Sequence, residues 1–228
     1  MAAFVGRPAT LEVLDRARHT RVMHRTAVRH LQRVDSRLAS VIERVGPCRL
    51  APRTEGTHFD HVARAIVYQQ LSGKAAATIY RRLCETQGGR APNESELLGT
   101  SDEALRAVGL SRQKISYLRD LASRVGSGDL AMESLDALED DAIVERLVSV
   151  RGVGRWTAQM FLMFRLGRPD VLPEADLGIQ NAVKRAYGLR TRPTPKQVLR
   201  RGELWRPHRT VASWYLWRSL DATGGGEP

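Results

Sequence analysis

A chain of 228 residues with 36 basic and 25 acidic side chains, net charge +11, is long enough to bury a core as one large domain or two small ones. All but four of the basic residues are arginine; codon bias in a GC-rich genome accounts for much of that excess, but the net charge still points to a nucleic-acid partner. Cys48 and Cys84 lack Cys-x-x-Cys spacing, which argues against a zinc knuckle, an iron–sulfur cluster or a disulfide scaffold, and no apolar run approaches the ~20 residues of a membrane span.

Helical spacing dominates the chain. Val28, Leu31, Val34, Leu38, Val41 and Val45 recur at three- and four-residue steps and predict one amphipathic helix that Gly46-Pro47 stops. A second helix is expected over about Phe59–Gln70, and Ser72 caps a third running toward Gln87. Gly88-Gly89 and Pro92 mark a loop. Further helices follow near Asp102–Val108, Arg112–Val125 and Asp140–Val150. The segment Arg155–Leu166 is apolar on nearly every side, so it is expected to be central and buried. Helices near Leu177–Tyr187, Pro195–Leu204 and His208–Leu220 complete the set, and the tail Thr223–Pro228 is expected to fray. Trp205, Trp214, Tyr215 and Trp217 read as core, while His19, His24 and His30 read as surface residues without metal-ligand spacing.

The chemistry concentrates in residues 150–180. Gly152-Val153-Gly154 lies between a helix ending at Val150 and another beginning near Arg155. Two glycines permit a tight turn and let a phosphate approach the backbone. The first N–H groups of the following helix, at the positive end of its dipole, make such a turn an anion site. A plain helical corner would use the same glycines as a C-cap, but Arg155, Thr157-Ala158 and the apolar helix beyond lengthen the match. A weaker echo runs from Leu105 to Lys114. There Gly109 ends one helix and Ser111 caps the next, and Arg112 and Lys114 lie against the dipole rule in its first turn. An external phosphate or plain solvent would each account for them. One loop beyond the hairpin, Asp176 stands where it would cap the helix from Leu177; Glu174 and Asp170 are lesser candidates nearby.

These segments resemble a known family. Val150–Ala158 looks like the helix-hairpin-helix motif of base-excision DNA glycosylases, and Leu172-Pro173-x-x-Asp176 looks like their catalytic Pro-x-x-Asp loop. Ala65–Ala76 and Trp205–Trp217 are similar to the 3-methyladenine DNA glycosylase II branch. The resemblance spans roughly Phe59 to Leu220.

The resemblance implies cleavage of the bond between a damaged base and deoxyribose. Positive charge develops on the sugar in such reactions, and Asp176 would stabilise it electrostatically. Backbone donors on a capping carboxylate favour its charged form, which suits that task better than proton abstraction. Bifunctional relatives carry a Schiff-base lysine just after the hairpin. Here that position is Trp156, so the chain is expected to be monofunctional. Trp156, Met160, Leu177 and Tyr68 are the expected base pocket. Met160 and Leu177 depart from the aromatics common there, which points to a narrower or weaker substrate range. Alkylated purines such as 3-methyladenine and 7-methylguanine are cationic, and an indole face attracts cations. Base flipping needs a plug, placed by resemblance at Gln70 or Leu71 and more readily at Gln70; otherwise Leu71 packs between helices and Gln70 caps one. Gly152, Val153, Gly154, Arg155, Thr157, Ser72, Gly73, Lys74, Ser111, Arg112 and Lys114 are the expected phosphate contacts.

The expected fold is all-α: a compact bundle of about ten helices in two lobes, 1–58 with 160–228 and 59–159, the hairpin at 150–158 and a DNA-binding cleft between the lobes. The expected partner is double-stranded DNA containing damaged bases, bound by a monomer with no membrane association. Neither a metal nor a cofactor is expected, apart from a monovalent cation for which the hairpin leaves room. The N-terminus lacks a secretory core, and Glu12 and Asp15 oppose a faint presequence character, so a cytoplasmic, nucleoid-associated protein is expected. A non-catalytic DNA-binding or lesion-sensing protein of the same fold is the rival reading.

Overall fold

The computed structural model describes residues 9–221, with side chains from Val22 onward; the tail 223–228 and the side chain of His19 lie outside the described residues. Those residues form twelve α-helices, two short 3-10 helices and no strand. In chain order they are α1 (Ala9–Val34), α2 (Ser36–Val45), α3 (His58–Tyr68), α4 (Gly73–Glu85), α5 (Glu94–Gly99), α6 (Asp102–Ala107), α7 (Arg112–Gly126), α8 (Asp140–Val148), α9 (Arg155–Phe164), α10 (Leu177–Ala186), α11 (Pro195–Gly202) and α12 (Arg209–Asp221), with 3-10 turns at Met132–Ala137 and Glu203–Trp205. The all-α expectation holds.

The helix expected through Val28–Val45 is two helices. Asp35 takes an extended backbone and caps α2, accepting from the N–H groups of Arg37 at 3.1 Å and Leu38 at 3.0 Å. The apolar stripe continues across the break, so periodicity alone misses it; an aspartate that can cap is the local signal. Helix α5 also escaped the spacing argument because six residues are too few for a period. Its start is nonetheless written in the sequence as a capping box, with Asn93 and Glu96 bonding each other's backbone N–H at 2.9 Å.

The described residues divide into two compact units, one of residues 52–168 and one of 9–51 with 169–221. The first holds α3–α9, and Ile66, Leu83, Leu97, Leu118, Leu121 and Leu147 form its interior. Its boundaries lie outside the expected 59–159 at both ends. Phe164 carbonyl accepts from Arg53 N–H at 2.6 Å, and the Arg165 guanidinium bonds His58 Nδ1 at 2.9 Å and the carbonyls of Arg53 and Gly56. These bonds hold the segment before α3 to the end of α9, so the whole of α9 belongs to this unit. As expected, α9 is buried over most of its length, with Thr157–Gln159 and Phe161–Met163 inside, while Trp156 at its start is 45% exposed.

In the second unit α12 packs on α2 and α10, and Leu31, Leu38, Trp205, Tyr215, Ala212 and Leu216 are fully enclosed. Asp35 is its polar hub. One carboxylate oxygen caps α2; the other accepts from the Tyr187 hydroxyl and from Trp205 Nε1 at 2.8 Å.

Candidate nucleic-acid interface and active site

The hairpin lies within the 52–168 unit. Gly152 has φ +79°, and a Cβ there would sit 2.2 Å from the Tyr117 ring. Both the left-handed backbone and the ring beneath therefore demand glycine. Gly154 is different: its φ is −95°, and an added Cβ would meet nothing within 4 Å. It is the N-cap of α9 and, as a glycine, brings no side-chain cap to that helix. Val153 is expected to contact phosphate; instead its N–H closes the turn on the Val150 carbonyl at 3.0 Å, with its side chain buried. Thr157, expected among the phosphate contacts, is buried too. Arg155 is exposed in the first turn. The hairpin is fixed by Arg151, whose N–H donates to Asp120 at 2.8 Å and whose guanidinium donates to Ser116 at 3.0 Å.

The turn between α3 and α4 is tied to the hairpin. Gln69 Nε2 donates to the Gly152 carbonyl at 2.9 Å. Nothing local in the sequence reveals this tertiary bond, and Gln69 was not among the expected residues. Its neighbour Gln70 has φ +56°, the one non-glycine in the left-handed region among the described residues, and is exposed. Leu71 is 39% exposed and not packed between helices, and the helix end is capped by Gln69 instead of Gln70. Ser72 caps α4 by accepting from Ala75 N–H at 3.4 Å, and Gly73 and Lys74 are exposed.

At the echo motif Ser111 caps α7, accepting from Lys114 N–H at 3.2 Å, and Arg112 is exposed. Lys114 has an internal partner: its ammonium donates to the Val67 carbonyl at 2.6 Å, and burial lowers its pKa. Its place against the dipole rule is thus explained by the C-terminal end of α3, with no external phosphate required. Tyr68 is also engaged. The Arg64 guanidinium stacks 4.2 Å from its ring centroid and donates to its hydroxyl at 2.9 Å, so one face of the expected pocket aromatic already carries a cation. Met160 is half-buried.

The carboxylate lies in the other unit. Val171, Leu172 and Pro173 are buried and anchor the loop; Val171 N–H donates to Thr210 Oγ1 at 2.9 Å. Leu172 fills the space that a side chain at Gly202 would need, approaching within 2.3 Å of the missing Cβ. Asp176 then caps α10, its Oδ1 accepting from Ile179 N–H at 2.8 Å. The same oxygen accepts from Trp217 Nε1 at 2.9 Å. Trp217, expected in the core, is half-buried and holds this carboxylate; it follows a buried run, Thr210–Leu216, so the sequence carries no mark of the role. Gly178 makes room for the pair, since a Cβ there would lie 2.9 Å from Asp176 Oδ1 and 3.0 Å from the Trp217 ring. Leu177 is 59% exposed. Asp170 is taken up by Arg206 at 2.9 Å and Arg209 at 2.7 Å, which leaves Asp176 the better-placed carboxylate.

An all-helical protein with a glycine hairpin opening one helix and a Pro-x-x-Asp loop opening another is of the helix-hairpin-helix class. The chain belongs to the HhH-GPD superfamily of base excision DNA repair proteins, whose family model matches residues 63–207. It is 30% identical over 198 residues to the alkylbase DNA glycosidase-like protein mag2 of Schizosaccharomyces pombe, covering 86% of this chain and 93% of that one. Among solved structures, the S. pombe 3-methyladenine DNA glycosylase Mag1 in complex with abasic DNA superposes with a TM-score of 0.77 at 32% identity, over 89% of this chain and all of that one. A DNA-3-methyladenine glycosidase from Bacillus halodurans gives 0.75 at 40% identity, over 83% of this chain and 86% of that one. Among the described residues no helix is long and apolar enough to cross a membrane.

Proposed function

We propose that this protein is a monofunctional DNA glycosylase that removes alkylated, cationic purines such as 3-methyladenine and 7-methylguanine from duplex DNA. Family membership and the names of its relatives support the reaction class. The observation that carries the reading is the Asp176 carboxylate, oriented by two donors on one oxygen in the loop where the family keeps its catalytic aspartate.

The chemistry needs little else. The C1′–N bond breaks, the electron pair leaves with the base, and a cationic purine departs without a strong general acid. Asp176 stabilises the positive charge left on the sugar, water adds its oxygen to C1′ and gives up one proton to solvent, and an abasic site remains. The exposed indole of Trp156 offers a π face to a cationic base. It cannot form a Schiff base, so no strand cleavage follows by that route. The backbone of Gly154 and the first turn of α9 receive a DNA phosphate, Gln70 fills the gap left by the flipped base, and the exposed start of α4 at Ser72–Lys74 meets another phosphate. No cofactor takes part; a monovalent cation on the hairpin carbonyls would strengthen phosphate binding only. The protein works as a monomer at the nucleoid.

Incubating the protein with methylated duplex DNA tests the reading by release of free base, repeated with Asp176→Asn. The variant keeps a good N-cap and is expected to lose ~10²-fold or more in single-turnover rate. Binding without release by the wild type would establish the lesion-sensing alternative, and borohydride trapping of a covalent complex would establish a lyase.

A further inference from the structure

From Leu177 to Gly202 the chain carries seven basic residues and not one acidic residue. Part of this run encloses a cavity of about 330 Å³ at the end of α11, lined by Arg190, Arg200 and Arg201 together with Thr191 and Gln197. None of the three arginines forms an ion pair among the described residues, although salt bridges elsewhere in this unit tie down Arg206, Arg209 and Arg218. Arg201 is held in place by stacking, its guanidinium 4.0 Å from the centroid of the Tyr187 ring. Tyr187 is itself fixed by its hydrogen bond to Asp35. Arg201 Nε is buried with no acceptor among the described residues. A buried donor without an acceptor is costly and uncommon, and three unpaired guanidiniums around a cavity repel one another until an anion enters.

We propose that this cavity is a second phosphate-binding site, separate from the hairpin, that takes a backbone phosphate of duplex DNA. Guanidinium forks match the oxygens of a phosphate diester, and Thr191 and Gln197 supply neutral polar groups around it. The site adds sequence-independent grip and leaves the chemistry at Asp176 alone. That DNA is the source of the phosphate rests on the glycosylase reading; the anion site itself does not.

The test is the double variant Arg190→Glu/Arg200→Glu, both exposed residues, with an unchanged melting profile as the check on folding. Binding to undamaged duplex is measured across a salt series. The expected result is a five- to fiftyfold loss of affinity at low salt and a shallower slope of log affinity against log salt, by about one to two, with the excision rate at saturating DNA retained. An unchanged slope and affinity would overturn the proposal. Thermal stabilisation by inorganic phosphate, lost in the variant while DNA binding is kept, would also overturn it in favour of a free-phosphate site. A reduced slope in a protein that excises nothing would sink the glycosylase reading and leave the second phosphate site standing.

Discussion

Trp217, on the last helix, donates its indole N–H to Oδ1 of Asp176, 41 residues upstream, at 2.9 Å. The helix cap at Ile179 uses the same oxygen, so the carboxylate plane is set from two directions: by the start of α10 and by a side chain of α12. A loop aspartate held only by its own helix could rotate about χ1; this one is held by tertiary structure as well.

Trp217→Phe removes the indole donor and keeps an aromatic ring. The expected cost in stability is about 1 kcal/mol, the worth of one hydrogen bond plus a little packing. The expected loss in single-turnover excision is about tenfold, larger than that stability change would produce at a temperature where the variant is fully folded. Equal rates for variant and wild type, with only the melting temperature lowered, would reduce Trp217 to a structural residue.

The legibility of this site in the sequence was uneven, and the reasons are physical. Gly152-Val153-Gly154 and Pro173-x-x-Asp176 are local motifs, and the structure gives them the expected turn and cap. Most helix boundaries were also legible, because caps such as Ser72 and Ser111 announce themselves beside apolar spacing. What could not be read is whatever depends on residues far apart in the chain. Gln69 reaching Gly152, Lys114 reaching the Val67 carbonyl and Trp217 reaching Asp176 span 83, 47 and 41 residues. Lys114 looked like a phosphate ligand because its true partner is a backbone carbonyl, which a sequence does not display. The helix that Trp156 opens reads as apolar on nearly every side, so the spacing marks no outward face; the 45% exposure of Trp156 is set by the neighbours it lacks.

The two hairpin glycines answer to different demands, and substituting each with alanine separates them. Gly152→Ala puts a methyl group into the Tyr117 ring on a left-handed backbone, with an expected loss of about 2–3 kcal/mol of stability. Gly154→Ala meets no atom of the protein and is expected to change stability by less than about 1 kcal/mol. Its methyl would stand where a phosphate approaches, so affinity for duplex DNA should fall several-fold. Denaturant titration and a binding isotherm on each variant give the four numbers. A Gly154→Ala protein that binds DNA as tightly as wild type would remove the hairpin from the interface.

Asp35 carries no catalytic role, yet its removal is expected to be among the most damaging changes in the 9–51/169–221 unit. It is 7% exposed and accepts four hydrogen bonds, from two backbone N–H groups, Tyr187 and Trp205. Asp35→Ala leaves all four donors short of an acceptor, among them the indole N–H of the fully buried Trp205, and should cost about 3 kcal/mol or more. Asp35→Asn keeps one accepting oxygen and should cost less. Chemical denaturation ranks the two; an alanine variant as stable as wild type would mean that solvent replaces the carboxylate freely.

Mild acidification should destabilise the fold through its histidines. Burial lowers the pKa of His24, His61 and His208 below the ordinary value of about 6.5. For His61 the charges of Arg165 and Arg53 lower it further, outweighing Asp60; for His208 the neighbouring His30 acts the same way against Asp170. Below about pH 6.5 the unfolded chain therefore binds protons that the folded chain refuses, so stability falls as the pH drops under that value and levels off above about 7. Melting temperatures measured from pH 8 down to 5.5 should hold steady to about 7 and then decline, and His61→Gln should flatten part of the decline. A profile level across the whole range would mean that these imidazoles take up protons in the folded protein as readily as in the unfolded chain.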